Sequence, residues 1–305
     1  MPRKRRLTFP RKTAMLKKKT QRKIVMYSRV YLEITNVCNR SCRFCPGTTR
    51  PAKMLSPEDF RLLAGKLRPY SDYLYLHVMG EPLLHPRLPE ILQISGELGF
   101  HVMLTTNGTL LPACQQTLLA APALYKVNIS LHSFEANEER DFAGYLSGCA
   151  AFGRAAAGRM LVNYRLWNLD SAAGSGANSR NSEILAALET EFPRPWQQNS
   201  WGWRLAKGAF IHYGELFDWP DPAARDRGER GFCRALRDQL AVLSDGTVVP
   251  CCLDRDGRLA LGNLYAQELP DILASPAARE IREGFAARRR TQDLCRRCGY
   301  SERFG

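Results

Sequence analysis

The sequence predicts an α/β fold: a parallel sheet with helices on its outside, followed by a small C-terminal module built from a β-hairpin and a helix. Three observations carry this. Strand-like and helix-like segments alternate from residue 30 to about residue 208, and that alternation implies parallel strands joined by crossover helices. The last quarter changes character: DQLAVLS and TVVPCC alternate well enough to be strands, and Asp245-Gly246 between them is a strong hairpin turn. With 305 residues the chain can bury one large core and a small second one.

The elements follow in order. VYLEITN (30–36) reads as the first strand. SPEDFRLLAGKL reads as a helix, with Ser56 as N-cap, Pro57 at the first helical position and acids in the first turn. DYLYLHV (72–78) is the second strand. RLPEILQISGELG is helical and ends on Gly99 as a C-cap. FHVMLTTNG is a strand entering a glycine turn, and PACQQTLLAAP is a short helix. LYKVNISLH (124–132) is the fourth strand, the stretch 134–157 is mostly helical, and MLVNYRLWN (160–168) is the fifth strand. DSAAGSGANSRN is small and polar, a loop. NSEILAALETEF is helical, and a sixth strand is expected near WGWRLAKG. Residues 208–230 carry little periodicity and read as a bridge into the C-terminal module.

Cysteines point to the chemistry. Cys38, Cys42 and Cys45 form a CxxxCxxC pattern directly after the first strand. Three thiolates on a tight loop can hold three irons of a 4Fe-4S cube, whereas a fully protein-ligated cube takes four. A set that stops at three leaves one iron open to a small molecule. The alternative is zinc, which wants a fourth ligand nearby; His77 and His85 are more than 30 residues away. A second set, Cys233, Cys251, Cys295 and Cys298, flanks the hairpin and ends in CxxC. A four-cysteine zinc site is its alternative, because CxxC alone does not distinguish the metals. Cys252 is a second-ranked ligand there, since side chains alternate along a strand and one of the pair should face the cluster. Cys114 and Cys149 fall in helix-like stretches and read as core or half-buried residues.

The first loop, with Phe44 before its last cysteine, resembles the signature of the radical S-adenosyl-L-methionine (SAM) enzymes. The second set, with the DG turn, the PCC and the GN after it, resembles the twitch module, a shortened SPASM extension. The resemblance implies a partial (β/α)6 TIM-like barrel and a cluster-binding module. It divides the chain into a basic tail (1–25), a barrel core (26–229) and an auxiliary module (230–305). It implies a SAM-binding 4Fe-4S cube on Cys38, Cys42 and Cys45, and an auxiliary 4Fe-4S cube on Cys233, Cys251, Cys295 and Cys298. Phe44 would lie beside the adenine. VMGEP (78–82) resembles the family's GGEP-type segment, with Met79 in place of the first glycine; its backbone would meet the SAM amino group, Gly80 permitting close approach and Glu81 making a polar contact. In TTNGT (105–109), Asn107 is the first candidate for SAM or substrate, ahead of Thr105 and Thr106; a plain Asn-Gly turn is the alternative. Ser130 and His132 share strand parity. Ser130 would lie near SAM, and His132 faces substrate or is structural. Arg165 would meet the SAM carboxylate or pair with a helix acid.

The implied activity is reductive cleavage of SAM to a 5′-deoxyadenosyl radical, followed by hydrogen abstraction from a small-molecule or peptide substrate. A fully ligated second cluster favours an electron acceptor, hence an oxidoreductase fed by an external donor such as flavodoxin or ferredoxin. The alternatives are a peptide-modifying SPASM maturase and a noncatalytic metal- or nucleic-acid-binding protein.

Composition bounds the rest. Apolar content of 45% is globular, and no apolar run is long enough for a membrane span. With seven cysteines claimed by two cluster patterns, a reducing cytoplasm is the expected compartment. The net charge of +14 is concentrated in a tail: residues 1–25 hold 11 Lys or Arg and no acid, against 33 basic and 30 acidic residues in the remainder. Such an arm is expected to be solvated, and nucleic acid or anionic lipid would be met through it alone. A transit peptide is a further reading, although the stretch is Lys-rich and Ser-poor. Met15 and Met26 are plausible alternative starts.

Overall fold

The computed structural model describes residues 26–133, 141–169 and 180–304. The basic tail, residues 134–140 of the expected fourth helix and residues 170–179 of the small polar loop lie outside them. Five β/α steps occupy the first two thirds of the chain: β1 (Arg29–Leu32), α1 (Pro57–Leu67), β2 (Tyr73–Tyr75), α2 (Leu88–Glu97), β3 (His101–Thr106), α3 (Leu111–Ala120), β4 (Leu124–Ser130), α4 (Phe142–Ala156), β5 (Leu161–Leu169) and α5 (Asn181–Glu191). A three-stranded antiparallel excursion follows: β6 (Gln197–Asn199), β7 (Gly202–Ala206) and β8 (Ala209–Glu215). The last segment holds β9 (Gln239–Val242), β10 (Thr247–Val249), β11 (Gly262–Asn263), α6 (Leu269–Leu273), α7 (Pro276–Ala286) and α8 (Asp293–Arg296).

Local signals act as read. Ser56 Oγ accepts from the Asp59 amide at 3.0 Å, and Pro57 opens α1. Gly99 sits at φ +79°, the left-handed conformation that lets the chain leave α2. In the turn between β9 and β10, Gly246 is at φ +84° and Asp245 Oδ1 accepts from the Thr247 amide at 3.0 Å.

All eleven strands belong to one sheet, in the order β11-β10-β9-β1-β2-β3-β4-β5-β8-β7-β6. The pairs from β9 through β1, β2, β3, β4 and β5 to β8 are parallel, and both ends are antiparallel. Two expectations are corrected. The strand in WGWRLAKG is β7, which pairs antiparallel with β8 and is not the sixth barrel strand. That role falls to β8, inside the segment read as a bridge; only its remainder, after Glu215, is irregular. The first and second strands are also shorter than expected, because the chain leaves the sheet to build the loops that follow them.

Strand alternation divides the sheet into two faces. Val30, Leu32, Leu74, Leu76, Val102, Leu104, Val127, Ile129, Val162, Leu166 and Ile211 are at most 1% exposed and pack under the helices with Phe60, Leu63, Ile91 and Phe152. The opposite face is the concave one. Its positions carry Tyr31 and Tyr75, His77, Met103 and Thr105, Lys126, Asn128 and Ser130, Asn163, Arg165 and Trp167, and His212. A shell of aliphatic burial thus encloses a polar, aromatic interior, which supplies a site rather than stability.

Candidate active site

The cysteine loop leaves the C-terminal end of β1, where parallel α/β sheets place their ligands. Cys38 is exposed, and Cys42 and Cys45 are partly buried. A turn closes the pattern, the Cys45 amide donating to the Cys42 carbonyl at 2.9 Å. Partial burial is the largest effect raising the Cys38 thiol, and Glu81, Cys42 and Cys45 add to it, while the Arg40 amide opposes them. Phe44 packs against His132 with ring centroids 4.8 Å apart. His132 in turn stacks on Trp167, and its Nδ1 lies 3.1 Å from the Arg165 carbonyl. Burial lowers its pKa to about 4, so it is a neutral ring in an aromatic stack.

Three expected contact residues brace this loop. Gly80 is at φ +78°, and a Cβ there would stand 2.4 Å from the Thr35 carbonyl oxygen. Only glycine lets the turn after β2 approach the segment leading to Cys38. Glu81 is 2% exposed. Its Oε2 accepts from the Asn107 amide at 2.7 Å and its Oε1 from the Leu83 amide at 3.0 Å. Burial raises its carboxyl to about 7, against the pull of those amides and of Thr106. Asn107 Nδ2 donates to Asn39 Oδ1 at 2.8 Å and lies 3.9 Å from Cys38 Sγ; its Oδ1 accepts from Thr109. Thr106 Oγ1 accepts from the Gly108 amide, and Thr105 Oγ1 accepts from Asn128. The side chains of Glu81 and Asn107 are therefore held within the scaffold of the cysteine loop. Ser130 ends β4 half-buried, its carbonyl accepting from Ser133 Oγ at 2.6 Å.

Arg165 lies inside the barrel, its guanidinium 4.7 Å from the Trp167 ring and its buried Nε without a partner. No helix acid pairs with it among the described residues. Burial dominates in lowering its pKa, opposed by the neighbouring Tyr31, Tyr75 and Tyr300.

The sequence reading missed Glu33, which is fully buried. Its Oε2 accepts from Arg50 Nη2 at 2.8 Å and from the Met79 amide at 3.0 Å, and its Oε1 from the Ser244 amide at 3.2 Å. One carboxylate thus joins the end of the cysteine loop, the turn after β2 and the β9–β10 hairpin. Arg50 also donates to the Arg255 carbonyl, and Thr48 to Asp256 Oδ1. The only sequence signal was a lone acid continuing the alternation of an apolar strand.

In the C-terminal segment, Cys233, Cys251, Cys295 and Cys298 line one cavity with Pro220, Leu253, Leu294 and Tyr300. Burial pushes the Cys251 thiol well up, and Cys252, Cys233, Cys295 and Cys298 push it further. Cys298 rises to about 11, mainly by burial. Crowded, desolvated thiols are poor company for one another until cationic irons neutralise them, so this donor set fits a cluster. Among the described residues no group of His, Cys, Asp or Glu converges on a single-ion position; the four sulfurs surround a void instead. Cys252 is not in that lining. It bonds Tyr31 on the concave face of the sheet and packs against the small cluster of Tyr31, Val78, Met79, Ala241, Leu243 and Val249. Alternation along the chain thus points Cys251 and Cys252 to opposite sides. Cys149 is buried in α4 and Cys114 half-buried in α3, as expected of core thiols.

Known proteins bear on this geometry. The radical SAM superfamily profile matches residues 32–151, and the iron–sulfur cluster-binding SPASM domain matches residues 233–299. A probable GTP 3′,8-cyclase of Sulfurisphaera tokodaii is 34% identical over 114 residues, a match spanning 36% of each chain. A GTP 3′,8-cyclase of Microcystis aeruginosa is 26% identical over 302 residues, covering 83% of this chain and 88% of the other. Among solved structures, BtrN in complex with AdoMet and 2-DOIA superposes with a TM-score of 0.57 at 18% identity, covering 90% of this chain and 94% of that one. The aligned segment covers little more than a third of the first of these relatives, and the structural likeness speaks to the fold. Among the described residues no helix is long and apolar enough to cross a membrane. The two profiles assign the chain to the radical SAM superfamily, with a SAM-binding 4Fe-4S cluster site and a C-terminal SPASM-type iron–sulfur domain, and the structural likeness shows the partial-barrel fold.

Proposed function

We propose that this chain is a radical SAM oxidoreductase, with Cys38, Cys42 and Cys45 as ligands of the SAM-binding cube and Cys233, Cys251, Cys295 and Cys298 as ligands of an auxiliary cube that accepts an electron from the substrate. The observation that carries the reading is the contrast between the two sets. One has three cysteines on a loop open to the barrel mouth; the other has four lining one cavity, and four thiolates would leave no iron of a cube open to substrate. When bound, the first cluster with SAM supplies a 5′-deoxyadenosyl radical, as in the family.

The chain's own residues do the positioning. Phe44, fixed against His132, offers an aromatic face to the adenine. The backbone of Met79 and Gly80, held by Glu33 and by close packing on Thr35, would meet the SAM methionine group. Ser130 and Arg165 stand at neighbouring register positions on β4 and β5, where they would meet the SAM ribose or carboxylate. Glu81 and Asn107 act by holding the loop in place. Tyr31, Tyr75, His77 and Trp167 wall the interior and exclude water from a radical. Adjacent residues Cys251 and Cys252 face the cavity and the interior respectively, so the auxiliary site lies one residue behind the barrel wall. That proximity favours electron uptake. Residues 26–229 would form the barrel core and 230–305 the auxiliary module, and a flavodoxin or ferredoxin would supply electrons. The relatives' name, GTP 3′,8-cyclase, makes a cyclisation on a small molecule the second reading.

The test is SAM turnover. Anaerobically reconstituted, dithionite-reduced protein is expected to release 5′-deoxyadenosine, and Cys42→Ala is expected not to. Wild-type protein with a full cluster complement that binds SAM and leaves it intact would sink the proposal.

A further inference from the structure

The concave face carries positive charge with nothing to balance it. Lys126 on β4 and Arg165 on β5 point into the interior, and Arg29 stands at its edge on β1. None of the three is paired with a carboxylate among the described residues. The groups acting on Lys126 are burial first, then Arg165 and Arg29, and together they lower it to about 8. His212 feels Lys126 and Arg165, and His77 feels Arg165, with no acid among the influences on either. Glu33 continues the parity of β1, but Arg50 and two backbone amides already hold it. Two buried interior atoms, Arg165 Nε and His77 Nδ1, have no hydrogen-bond partner. Clustered cations with orphaned donors are costly unless a ligand neutralises them.

We propose that the floor of this barrel is an anion site, where Lys126 and Arg165 receive a phosphate or carboxylate group of the substrate. The inference rests on the radical SAM reading and names the substrate's chemistry. SAM does not account for it. Register sets Ser130 beside Arg165 at the top of the strands, and Lys126 lies four residues below Ser130, about 13 Å along β4 at the usual strand rise. A methionine carboxylate held near the cysteine loop leaves Lys126 unneutralised. Arg165 feels Tyr31 and Tyr75 across the interior and Lys126 feels Arg165, so the two charges act on one another between the two levels. A guanidinium fork and an ammonium then grip one end of the substrate and leave the other end at the mouth, where hydrogen abstraction takes place.

The test uses the full-length reconstituted protein loaded with SAM. It is titrated anaerobically with pyrophosphate, with citrate and with uncharged glycerol, by calorimetry and by thermal unfolding. Saturable binding and a raised Tm are expected for an anion and not for glycerol. A response to pyrophosphate alone identifies a phosphate site, and a response to citrate alone a carboxylate site. Lys126→Met and Arg165→Met are each expected to weaken binding about tenfold, the loss of one charge-assisted contact. Lys126→Arg is expected to retain it, as is Arg154→Met on the exposed face of α4. Without anion, the Tm of Lys126→Met is expected at or above that of the wild type, since an uncompensated charge is gone; this separates lost binding from lost folding. Wild-type protein that binds neither anion, or a folded Lys126→Met that binds as the wild type does, overturns the anion site. The same wild-type sample is assayed for 5′-deoxyadenosine. Failure there strikes the radical SAM reading, whereas SAM cleavage without anion binding strikes this inference alone.

Discussion

Glu33→Ala removes the carboxylate that ties three segments together, and its cost can be worked from the contacts. Arg50, whose side chain is 11% exposed, loses its counter-charge. It keeps a bond to the Arg255 carbonyl at 2.7 Å, which satisfies one donor and leaves the charge uncompensated. Breaking a buried ion pair by deleting one partner costs about 3–5 kcal/mol. The Met79 and Ser244 amides also lose their acceptor, each worth about 1–3 kcal/mol if left dry. The space vacated by the side chain admits water, so these terms do not add in full. An overall loss of about 3–5 kcal/mol corresponds to a fall in Tm of about 5–8 °C for a chain of this size. The assay is anaerobic thermal unfolding of the reconstituted protein by circular dichroism, with 5′-deoxyadenosine release measured on the same samples. SAM cleavage should fall as well, because Met79 and Gly80 lose the anchor that fixes their backbone. The double variant Glu33→Met, Arg50→Met removes both charges and should recover most of the stability but not the SAM cleavage. A Glu33→Ala protein melting within about 2 °C of wild type would put the loss near ~1 kcal/mol and contradict a buried, charge-paired role for Glu33.

Three further predictions follow from the same scaffold. Glu81 has a folded pKa raised to about 7 from an ordinary 4.5, so the folded state holds a proton that the unfolded state has lost. Between those values stability falls as pH rises, by up to about 3 kcal/mol in all, and Glu81→Gln should flatten that slope in urea titrations at pH 5 and pH 7. Gly80→Ala combines a positive φ with a Cβ 2.4 Å from the Thr35 carbonyl; it should cost about 2 kcal/mol or more and lower the retained iron of the first cluster, and a variant with wild-type iron and Tm would contradict the close-approach argument. Phe44→Ala should leave the iron content unchanged and raise the KM for SAM by about tenfold, a loss of roughly 1.4 kcal/mol of stacking; an unchanged KM would place the adenine elsewhere.

Much of this was legible because local chemistry decided it. Ser56, Gly99 and Asp245-Gly246 fix their turns through bonds within a few residues. The alternation in YLEI, YLYLH and VNYRLW separates the aliphatic face from the interior, and alternation at Cys251 and Cys252 anticipated that only one of the two would face the cavity. What was missed depends on partners far along the chain. In AFIHYGE, His212 and Gly214 interrupt the apolar run and only Ala209 and Ile211 are buried, so β8 passed for a bridge. The pairing of β9 with β1 joins Gln239 to Arg29, a register that no local signal encodes. Glu33 looks like a surface acid until Arg50, Met79 and Ser244 gather around it. Glu81 and Asn107 were found at their loops, but the backbone amides and Asn39 that they hold were not foreseen, since a polar residue at a strand end serves a ligand or a backbone amide equally well.

The central claim is that two clusters occupy two cysteine sets with different duties. Iron content measured together with SAM cleavage in two variants tests it most directly. Wild-type protein should hold about eight irons, two cubes of four, and release 5′-deoxyadenosine. Cys42→Ala should retain about four irons and release none. Cys295→Ala should also retain about four irons, in a chain whose circular dichroism and protease resistance report a folded barrel, and should still cleave SAM at a reduced rate. A Cys42→Ala protein that makes 5′-deoxyadenosine as the wild type does, or wild-type protein with about four irons and zinc at the second set, would contradict the account.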